Sequence, residues 1–577
     1  ELSSHNTVCI GDAENDHVFL AMSECGVAVA NAIPALKERA DHVTRAPNGQ
    51  GVIEFIDEHL VNDCVDLIPR LPRHRLPIGE TAEGEPVALR AHGTRLLIVG
   101  PSGSGKTTLT GALVERIVET GRSALLIDPE GDYQTLSDLE RVVVLGGGAT
   151  GEAFLGALRH LDKDVRLTLV EHELVGGECS YWACIPSKTL LRPLELAFRA
   201  RFAPGVTATV DPVQVFKWRD EVAEKDDASQ VEWVQELGAE VVKGTGTIVE
   251  PGRLEVGGET LEYDELMIAT GSVPSLPPIE GLEEAAVWTS REATSASAVP
   301  ESLLIVGAGA VGCELAQFYA RIGSRVTLVQ SGDFILPRID REAGDLLAGI
   351  FEEEGIDIYL NARAKRISRS EGRLRLELEG DETLEATNLL VATGRRPNVE
   401  GLGLEQLDVT VGQHGIDVDD RLSAGEHVWA AGDVTGVALF THVGKYQARV
   451  AAANLAGRER RADYRALPSA IFTDPQVAAV GDTSGEGTVT SKWDLTKVSR
   501  TATYQRPKRP GFVKLFADPE RKVLVGAVLV GPDAGEWLGQ LTLAIRAEIP
   551  VDVLRDTIQP FPTFSEAIFF AARELDL

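Results

Sequence analysis

Short apolar runs, each followed by a turn and then by an amphipathic stretch, recur along this chain. Three of them, at residues 142–145, 303–306 and 389–391, have the length and composition of buried strands. Because buried strands that alternate with helices form parallel sheets, the pattern predicts an α/β fold. From about residue 467 the pattern changes to strands and two helices, which predicts an α+β domain at the C-terminal end.

Two of the apolar runs lead into glycine loops of the form GxGxxG. Such glycines permit a tight turn and the close approach of a pyrophosphate, and the residue that ends the next strand meets the ribose. Two loops predict two nested Rossmann-like dinucleotide-binding domains, with electrons passing between a nicotinamide and a flavin. The residues are Gly146, Gly148, Gly151 and Glu171 in the first copy, and Gly307, Gly309, Gly312 and Gln330 in the second.

The coenzyme preference stays open at the sequence level. Gln330 is neither the acid that favours NADH nor an arginine that would meet the 2′-phosphate of NADPH. No basic pair follows it, which gives a slight preference for NADH.

Cys179 and Cys184 are separated by four residues and precede a leucine-rich stretch with helical spacing. If the segment enters a helix near Cys179, the sulfurs lie about one and a half turns apart and can bridge once the first turn distorts. The helix N-terminus and Lys188 would both stabilise a thiolate. The alternative is a pair of buried structural cysteines. The glycine loop and the acidic strand end upstream favour redox chemistry.

The segment GGECSYWACIPSK, residues 176–188, resembles the redox motif of the flavoprotein disulfide reductases. That family includes dihydrolipoamide dehydrogenase, glutathione reductase and mercuric reductase, and the resemblance extends from about residue 141 to the end. It implies FAD with Glu171 on the adenosine ribose, a Cys184 thiolate against the flavin, and a Cys179 that exchanges with substrate. It also implies that Glu314 pairs with Lys188, where the alternative is a solvated helix carboxylate.

Later segments resemble further parts of the same family. Two strands that end in Thr-Gly resemble the connections between the FAD and NAD domains, and residues 427–433 resemble the second FAD motif, whose aspartate bonds the flavin ribitol. The C-terminal part resembles the family's dimerisation domain, which implies a homodimer in which the partner completes the active site. The matching positions are Thr270, Gly271, Gly394, Arg395, Gly432 and Asp433.

One position departs from the family pattern. Members that act on dithiols carry His-Pro-Thr followed three residues later by Glu, whereas this chain keeps Glu566 and has Phe561 in place of the histidine. The acid–base residue is therefore missing. The expected acceptor is a small-molecule disulfide, a dithiol or a quinone-type compound. Mercuric reductase activity is disfavoured, because residues 572–577 lack the additional cysteine pair.

The chain before residue 141 contains two incomplete motifs. GDAEND resembles the magnesium loop of haloacid dehalogenase-type phosphatases, with Asp12 and Asp16 as ligands, but no nucleophilic aspartate is present. Residues 71–91 read as a connection. The stretch after them resembles the P-loop of DNA-translocase ATPases, in which Gly100, Gly105, Lys106 and Thr107 would hold ATP and Mg²⁺. Hydrolysis is not expected, because a different domain begins by Val142.

Composition sets limits on partners and location. A net charge of −32 argues against nucleic acid and anionic membranes. Six cysteines in 577 residues are too few for a disulfide scaffold, and the absence of a signal peptide or bilayer-spanning run predicts a cytoplasmic protein.

The sequence thus predicts an FAD-dependent NAD(P)H oxidoreductase. A P-loop or phosphatase fusion is the rival hypothesis. The predicted domains are a phosphatase-like fragment (1–64), a P-loop fragment (71–140), the FAD domain in two parts (141–272 and 399–465), the NAD(P) domain (273–398) and the dimerisation domain (466–577).

Overall fold

The structure, a computed structural model, divides the chain into two compact units, Glu1–Asp138 and Leu139–Leu577. Both units contain strands and helices, so the predicted mixed α/β class is confirmed. The described residues are 8–13, 16–23, 25–62, 64, 66–67, 71, 75–80, 86–90, 140–370, 372–380, 382–504 and 511–577.

The first unit has a small parallel sheet whose strands follow in chain order. Val27 and Phe55 lie in its fully buried core. Within the predicted connection at residues 71–91, the strands Arg75–Glu80 and Pro86–Arg90 form an antiparallel pair. Proline and glycine suggested an irregular segment there, but a register shift between Pro77 and Gly79 accommodates them in a ladder. The sheet strands are Val8–Gly11, Cys25–Ala28 and His42–Val43, and the helices are His17–Met22, Pro34–Arg39 and Asn48–Glu58.

The second unit begins with a six-stranded sheet, in which the first strand, Arg141–Leu145, lies centrally between two parallel neighbours. Val142 and Val144 are completely buried against helices on one face of the sheet, and Val143 and Leu145 pack on the other face against Ile248 and Leu254, so neither face is polar. In spatial order the strands are Ser423–Gly425, Val428–Ala430, Glu265–Ile268, Arg141–Leu145, Arg166–Glu171 and Ala239–Lys243. A separate antiparallel sheet consists of Gly246–Glu250, Arg253–Val256 and Glu259–Glu262.

A second Rossmann-like domain is inserted into the first. Its parallel sheet is centred on Ser302–Val306, and the chain enters and leaves it along the antiparallel pair Ser272–Pro274 and Arg395–Pro397. The two crossings therefore lie side by side. The parallel strands are, in spatial order, Asp357–Tyr359, Arg325–Val329, Ser302–Val306 and Asn388–Val391, and a three-stranded antiparallel sheet comprises Ala364–Ser370, Arg373–Leu378 and Thr383–Ala386.

The C-terminal part is a five-stranded antiparallel sheet with helices packed on it, which confirms the predicted α+β type, but its described residues form four α-helices where two were predicted. Its strands, in spatial order, are Pro468–Ile471, Gln476–Gly481, Val523–Gly531, Phe512–Asp518 and Val489–Asp494. The helices of the second unit are Ala149–Leu161, Gly177–Tyr181, Cys184–Ala200, Pro212–Val222, Ala228–Glu236, Ser290–Ser295, Ala310–Ile322, Arg341–Glu353, Thr441–Leu455, Ala534–Trp537, Gly539–Arg546, Val551–Asp556 and Glu566–Arg573.

Candidate functional site

The two cysteines lie on either side of a break between helices. The short helix Gly177–Tyr181 carries Cys179, and the redox helix, Cys184–Ala200, begins at the second cysteine. In an unbroken helix, residues five apart would be displaced by about 7.5 Å along the axis and would face different directions. Ala183 instead has non-helical backbone angles (φ −121°, ψ −91°), and its N–H bonds to the Glu178 carbonyl at 2.7 Å. The chain turns between the helices and brings the sulfurs together.

The two thiols have opposite electrostatic environments. The pKa of Cys184 is lowered to about 6, chiefly because the Cys179 thiol hydrogen-bonds to it, with further help from the Thr441 hydroxyl and the Lys188 charge. The Cys184 Sγ lies 3.4 Å from Thr441 Oγ1. The same bond between the cysteines, together with burial, raises the pKa of Cys179. At neutral pH the reduced pair is therefore a thiolate at Cys184 and a thiol at Cys179.

A buried ion pair connects the redox helix with the second Rossmann-like domain. Lys188 Nζ lies 2.7 Å from Glu314 Oε2, and the Glu314 side chain is only 7% exposed. Its other oxygen, Oε1, accepts the Phe472 N–H at 2.8 Å, and Lys188 also lies 4.6 Å from the centre of the Phe472 ring. Because both oxygens of the carboxylate are occupied, the lysine is fixed one helical turn after Cys184.

The first glycine loop forms a cradle that fits a dinucleotide. A Cβ on Gly151 would lie 2.1 Å from the Gly146 carbonyl oxygen, so only glycine allows the helix Ala149–Leu161 to approach the strand so closely. A Cβ on Gly148 would meet only the Gly177 Cα, at 4.0 Å, so space remains at the helix N-terminus, where a pyrophosphate is favoured.

Glu171 lies at the end of the next strand, beside this cradle. Its Oε2 accepts the Gly147 N–H at 2.7 Å and its Oε1 accepts the Glu173 N–H at 2.7 Å. Burial raises the pKa of Glu171, but the bonds from His172 and from these backbone N–H groups outweigh burial and lower it. Glu171 is therefore a fixed carboxylate of the kind that binds ribose hydroxyls.

The second FAD motif lies at the crossing between the two nested domains. Asp433 Oδ2 accepts the Ser272 hydroxyl at 2.6 Å, and Arg395 Nε donates to the same Ser272 oxygen at 2.8 Å. Thr270 Oγ1 donates to the Asn398 carbonyl at 2.8 Å. Burial raises the pKa of Asp433. Arg395 thus orders Ser272 and, through it, the carboxylate.

Three further predicted residues lie around this crossing. Gly271 accepts the Asn398 N–H at 3.0 Å, and Gly394 accepts the Ser275 N–H at 2.9 Å, so the two Thr-Gly turns bond across the crossing. The Gly432 N–H donates to Gln447 Oε1 at 2.7 Å, which fixes the backbone directly before Asp433.

The second glycine loop repeats the geometry of the first. A Cβ on Gly312 would lie 1.9 Å from the Gly307 carbonyl oxygen, whereas one on Gly309 would meet no heavy atom within 4 Å. Gln330 Oε1 accepts the Ala308 N–H at 3.2 Å, which leaves its amide N–H₂ as the group available to a ribose. The loop therefore fits a second dinucleotide.

Family models match most of the chain. The pyridine nucleotide-disulphide oxidoreductase model matches residues 140–457, and the model of that family's dimerisation domain matches residues 467–572. The chain belongs to the pyridine nucleotide-disulphide oxidoreductase family. It is thus an FAD-dependent NAD(P)H disulfide oxidoreductase, and the predicted cofactors FAD and NAD(P)H are confirmed.

Named relatives support the same assignment. Dihydrolipoyl dehydrogenase 2 of Haloarcula marismortui is 32% identical over 465 residues, which are 77% of this chain and 97% of that protein. Mercuric reductase of Streptomyces lividans is 36% identical over 459 residues, 75% of this chain and 95% of that protein. Among solved structures, LpdA from Mycobacterium tuberculosis has a TM-score of 0.69 at 28% identity and covers 75% of this chain and 99% of its own.

The dimerisation domain of this oxidoreductase carries Glu566 and Phe561. Glu566 begins the helix Glu566–Arg573, and its Oε2 accepts the Thr563 N–H at 3.3 Å. The Phe561 side chain is 72% exposed. In a single chain Phe561 therefore faces solvent, whereas Glu566 is half-buried, and the matched dimerisation domain supports a homodimer.

Two further family models match toward the N-terminal side of the oxidoreductase: haloacid dehalogenase-like hydrolase over residues 1–56, within the first unit, and the helicase HerA central domain over residues 76–171, which extends past the end of that unit at Asp138. Asp16 Oδ2 accepts hydrogen bonds from the N–H groups of Ala13 and Asp12. Both bonds lower the pKa of Asp16, and the bond from Ala13 has the larger effect. Asp16 thus caps a turn. No cluster of three or more potential metal ligands occurs among the described residues. Four P-loop residues lie outside the described ranges: Gly100, Gly105, Lys106 and Thr107.

Sequence reasoning missed several residues around the redox pair. Thr441 contacts Cys184 from a position 257 residues away, and Gln447 supports the Gly432 backbone from the same helix. A single sequence carries no signal for such distant contacts. Within the described part of the chain, no helix is long and apolar enough to span a membrane.

Proposed function

We propose that Cys184 is the thiolate beside the flavin, that Cys179 is the thiol that would exchange with a disulfide, and that the preferred acceptor takes two electrons directly from the flavin and so needs no acid–base group at position 561. The observation that supports the assignment of the two thiols is the bond from the Cys179 thiol to Cys184 and the resulting low pKa of Cys184. The thiolate is the nucleophilic form of a cysteine, but here Cys184 is only partly exposed and lies against Thr441, which suits electron transfer.

In the reductive half-reaction, the two cysteines take up all the electrons and the proton that NAD(P)H supplies. NAD(P)H supplies a hydride, which provides two electrons and one proton. FAD, when bound, carries the electron pair from the nicotinamide to the cysteines. The Cys179–Cys184 bond breaks, Cys184 keeps a negative charge, and Cys179 takes the proton. The products are NAD(P)⁺, a thiolate and a thiol, so no external acid or base is needed. Lys188, held by Glu314, stabilises the new negative charge.

The acceptor half-reaction differs from that of a dithiol oxidase. Oxidation of a dithiol requires a base to remove its proton, and reduction of a disulfide requires an acid for the leaving thiolate. Such a group contributes roughly 10²- to 10⁴-fold to the rate, or about 3 to 5 kcal/mol of barrier. Phe561 can supply neither. Its exposed ring, next to Ile558 at 94% exposure, instead offers apolar surface. A quinone-type acceptor therefore suits the site better than dihydrolipoamide.

The partner subunit is part of this proposal. Phe561 faces solvent in one chain and Glu566 is half-buried, and in the homodimer we expect their segment to cover the redox pair of the other subunit. Each active site would then contain two chains. Mercuric ion is a less suitable acceptor, because no cysteine follows Cys313 in the sequence.

An anaerobic acceptor panel tests the proposal with NADH and with NADPH. With NADH or NADPH the unaltered chain should reduce quinones and dyes rapidly and reduce lipoamide and glutathione disulfide poorly, and with NAD⁺ it should oxidise dihydrolipoamide poorly. Phe561→His should partly restore dithiol turnover, whereas Phe561→Leu, which changes the ring without adding a titratable group, should not. Dihydrolipoamide oxidation by the unaltered chain within about tenfold of its quinone rate would show that another residue supplies the base.

A further inference from the structure

The helix Ser290–Ser295 contacts the redox loop, the segment Glu178–Cys184, at two places. Arg291 Nε donates to Glu178 Oε1 at 2.5 Å, and the Arg291 guanidinium lies 4.0 Å from the centre of the Trp182 ring. Thr294 Oγ1 donates to the Trp182 carbonyl at 2.7 Å. Glu178 directly precedes Cys179, and Trp182 is the first residue of the break before Cys184. One helix therefore holds both ends of the turn that joins the cysteines.

The helix is itself firmly anchored. A capping box between Thr289 and Glu292 fixes its first turn. The Tyr319 hydroxyl donates to the Ala293 carbonyl at 2.6 Å, and the buried Arg219 donates to the carbonyls of Thr294 and Ala296. A rigid support of this kind can impose a geometry on the segment that it contacts.

The redox loop needs an imposed geometry. If residues 179–184 continued as one helix, the two sulfurs would be too far apart for a disulfide and on different faces. The Trp182 carbonyl has no helical partner, because the residue four positions later is Pro186, which has no N–H, and Thr294 supplies a replacement donor. The indole is only 7% exposed beneath Arg291, so it cannot move independently of that guanidinium.

We propose that Arg291 and Thr294 are positioning residues for the redox pair, which hold Glu178 and Trp182 so that Cys179 stays within hydrogen-bonding reach of Cys184. The proposal rests on the roles assigned to the two cysteines above. Arg291 also bonds Glu173 Oε2, at 3.0 Å, so its charge is already balanced by two carboxylates and its main effect on the thiols is geometric.

The ionisation of the reduced pair reports this geometry. The groups that act on it are Lys188 on the redox helix, Thr441 and Lys445 on the helix Thr441–Leu455, and the cysteines themselves. If the Cys179 thiol moves away, Cys184 loses its strongest stabilising hydrogen bond, and its pKa should rise toward that of a free thiol, about 8.5. A purely structural role would lower the melting temperature and leave this pKa unchanged.

The test measures the rate of Cys184 alkylation by iodoacetamide against pH, by mass spectrometry, on NADH-reduced holoenzyme. Arg291→Met and Thr294→Val should each raise the apparent pKa by about one unit or more, equivalent to a tenfold change in the thiolate equilibrium. Arg291→Lys should give a partial shift. Because Thr294→Val is isosteric and uncharged, a shift in that variant cannot arise from altered charge.

Two control variants separate positioning from charge and from general surface effects. Glu178→Gln removes a negative charge near the cysteine pair. If only charge matters, this change should lower the pKa of Cys184, whereas loss of positioning should raise it. Arg325→Met removes an exposed ion pair with Glu301 and should leave the pH profile unchanged. If Arg291→Met fails to retain FAD, the pH profile of Thr294→Val alone tests the inference. Unchanged profiles in both variants would overturn this inference, while an ordinary thiol pKa in the unaltered chain would overturn the assigned cysteine roles instead.

Discussion

Cys184 and Cys179 differ in environment although five positions separate them in sequence. The difference arises from what each thiol contacts. Cys184 accepts from the Cys179 thiol and lies beside Thr441 and Lys188, and these contacts lower its pKa to about 6. A group with a lowered pKa is charged above that value and loses its charge as the pH falls through it. The thiolate should therefore be present at pH 7 and largely protonated at pH 5.

This difference predicts distinct spectra for two serine variants. In Cys179→Ser, the serine hydroxyl can still donate to Cys184, so oxidised holoenzyme should show a long-wavelength absorption band from thiolate and flavin. The band should disappear on acidification, because protonation of Cys184 removes the thiolate. Cys184→Ser should show no band at any pH. A band in Cys184→Ser alone would reverse the assignment of the two sulfurs.

The sequence predicted the site residues whose partners follow from a motif. Lys188 and Glu314 belong to two recognisable segments, and the structure places them 2.7 Å apart. Thr441 and Arg291 belong to no motif, and they reach the redox loop through the packing of distant helices. Such contacts depend on tertiary structure, which a single sequence does not specify.

At the scale of elements, the two glycine loops make a matched pair for experiment. Gly151→Ala would place a methyl group 2.1 Å from the Gly146 oxygen, and Gly312→Ala would place one 1.9 Å from the Gly307 oxygen, so each must push a helix from its strand. Gly151→Ala should purify without FAD. Gly312→Ala should keep its flavin and bind NAD(P)H at least tenfold more weakly, a loss of about 1.4 kcal/mol.

Gly156→Ala provides the control on the same helix as Gly151. Its Cβ would lie 3.6 Å from Trp233, an ordinary contact, and alanine is favoured over glycine in a helix by about 1 kcal/mol. Flavin content and the melting temperature of Gly156→Ala should match or exceed those of the unaltered chain. Retention of FAD by Gly151→Ala would contradict the close approach of helix and strand.

The strands of both Rossmann-like domains were predictable because buried parallel strands are continuous apolar runs. The break in the redox loop was predictable only in part. Pro186 has no N–H for the Trp182 carbonyl, so the local sequence already disfavours one continuous helix through Cys184. The contacts that Thr294 and Arg291 make with Trp182 come from another element, and no local signal predicts them. Local sequence and tertiary contacts therefore act together at the cysteine pair.

At the scale of the whole molecule, exposed apolar residues on the dimerisation domain predict its interface. Ile558 is 94% exposed and Phe561 is 72% exposed, and large apolar side chains at this level of exposure mark association surfaces when clustered. Ile558→Glu should shift the protein from dimer to monomer in light scattering and abolish acceptor turnover while NAD(P)H still reduces the flavin. Val213→Glu, at a 69% exposed position elsewhere, should stay dimeric.

The unit Leu139–Leu577 is expected to carry out the flavin chemistry without a contribution from the unit Glu1–Asp138. Dihydrolipoyl dehydrogenase 2 of Haloarcula marismortui aligns with 77% of this chain over 97% of its own length. That relative therefore has almost no sequence outside the aligned region. The cysteine pair, both glycine cradles, Lys188 and Glu314 all lie in the unit Leu139–Leu577. Among the described residues of the first unit, no cluster of three or more potential metal ligands occurs.

A chain of residues 139–577 should therefore purify yellow, with one FAD per chain, and should oxidise NAD(P)H with an artificial acceptor at the rate of the full chain. Lys106→Ala in the full chain should likewise leave the flavin content and the rate unchanged, because a P-loop lysine acts on nucleotide phosphates and not on a flavin. Flavin absorbance per chain and initial rates for the three proteins make the measurement. If removing residues 1–138 or changing Lys106 reduced turnover more than about tenfold, the first unit would have to act on the reductase, either by binding nucleotide or by ordering its fold.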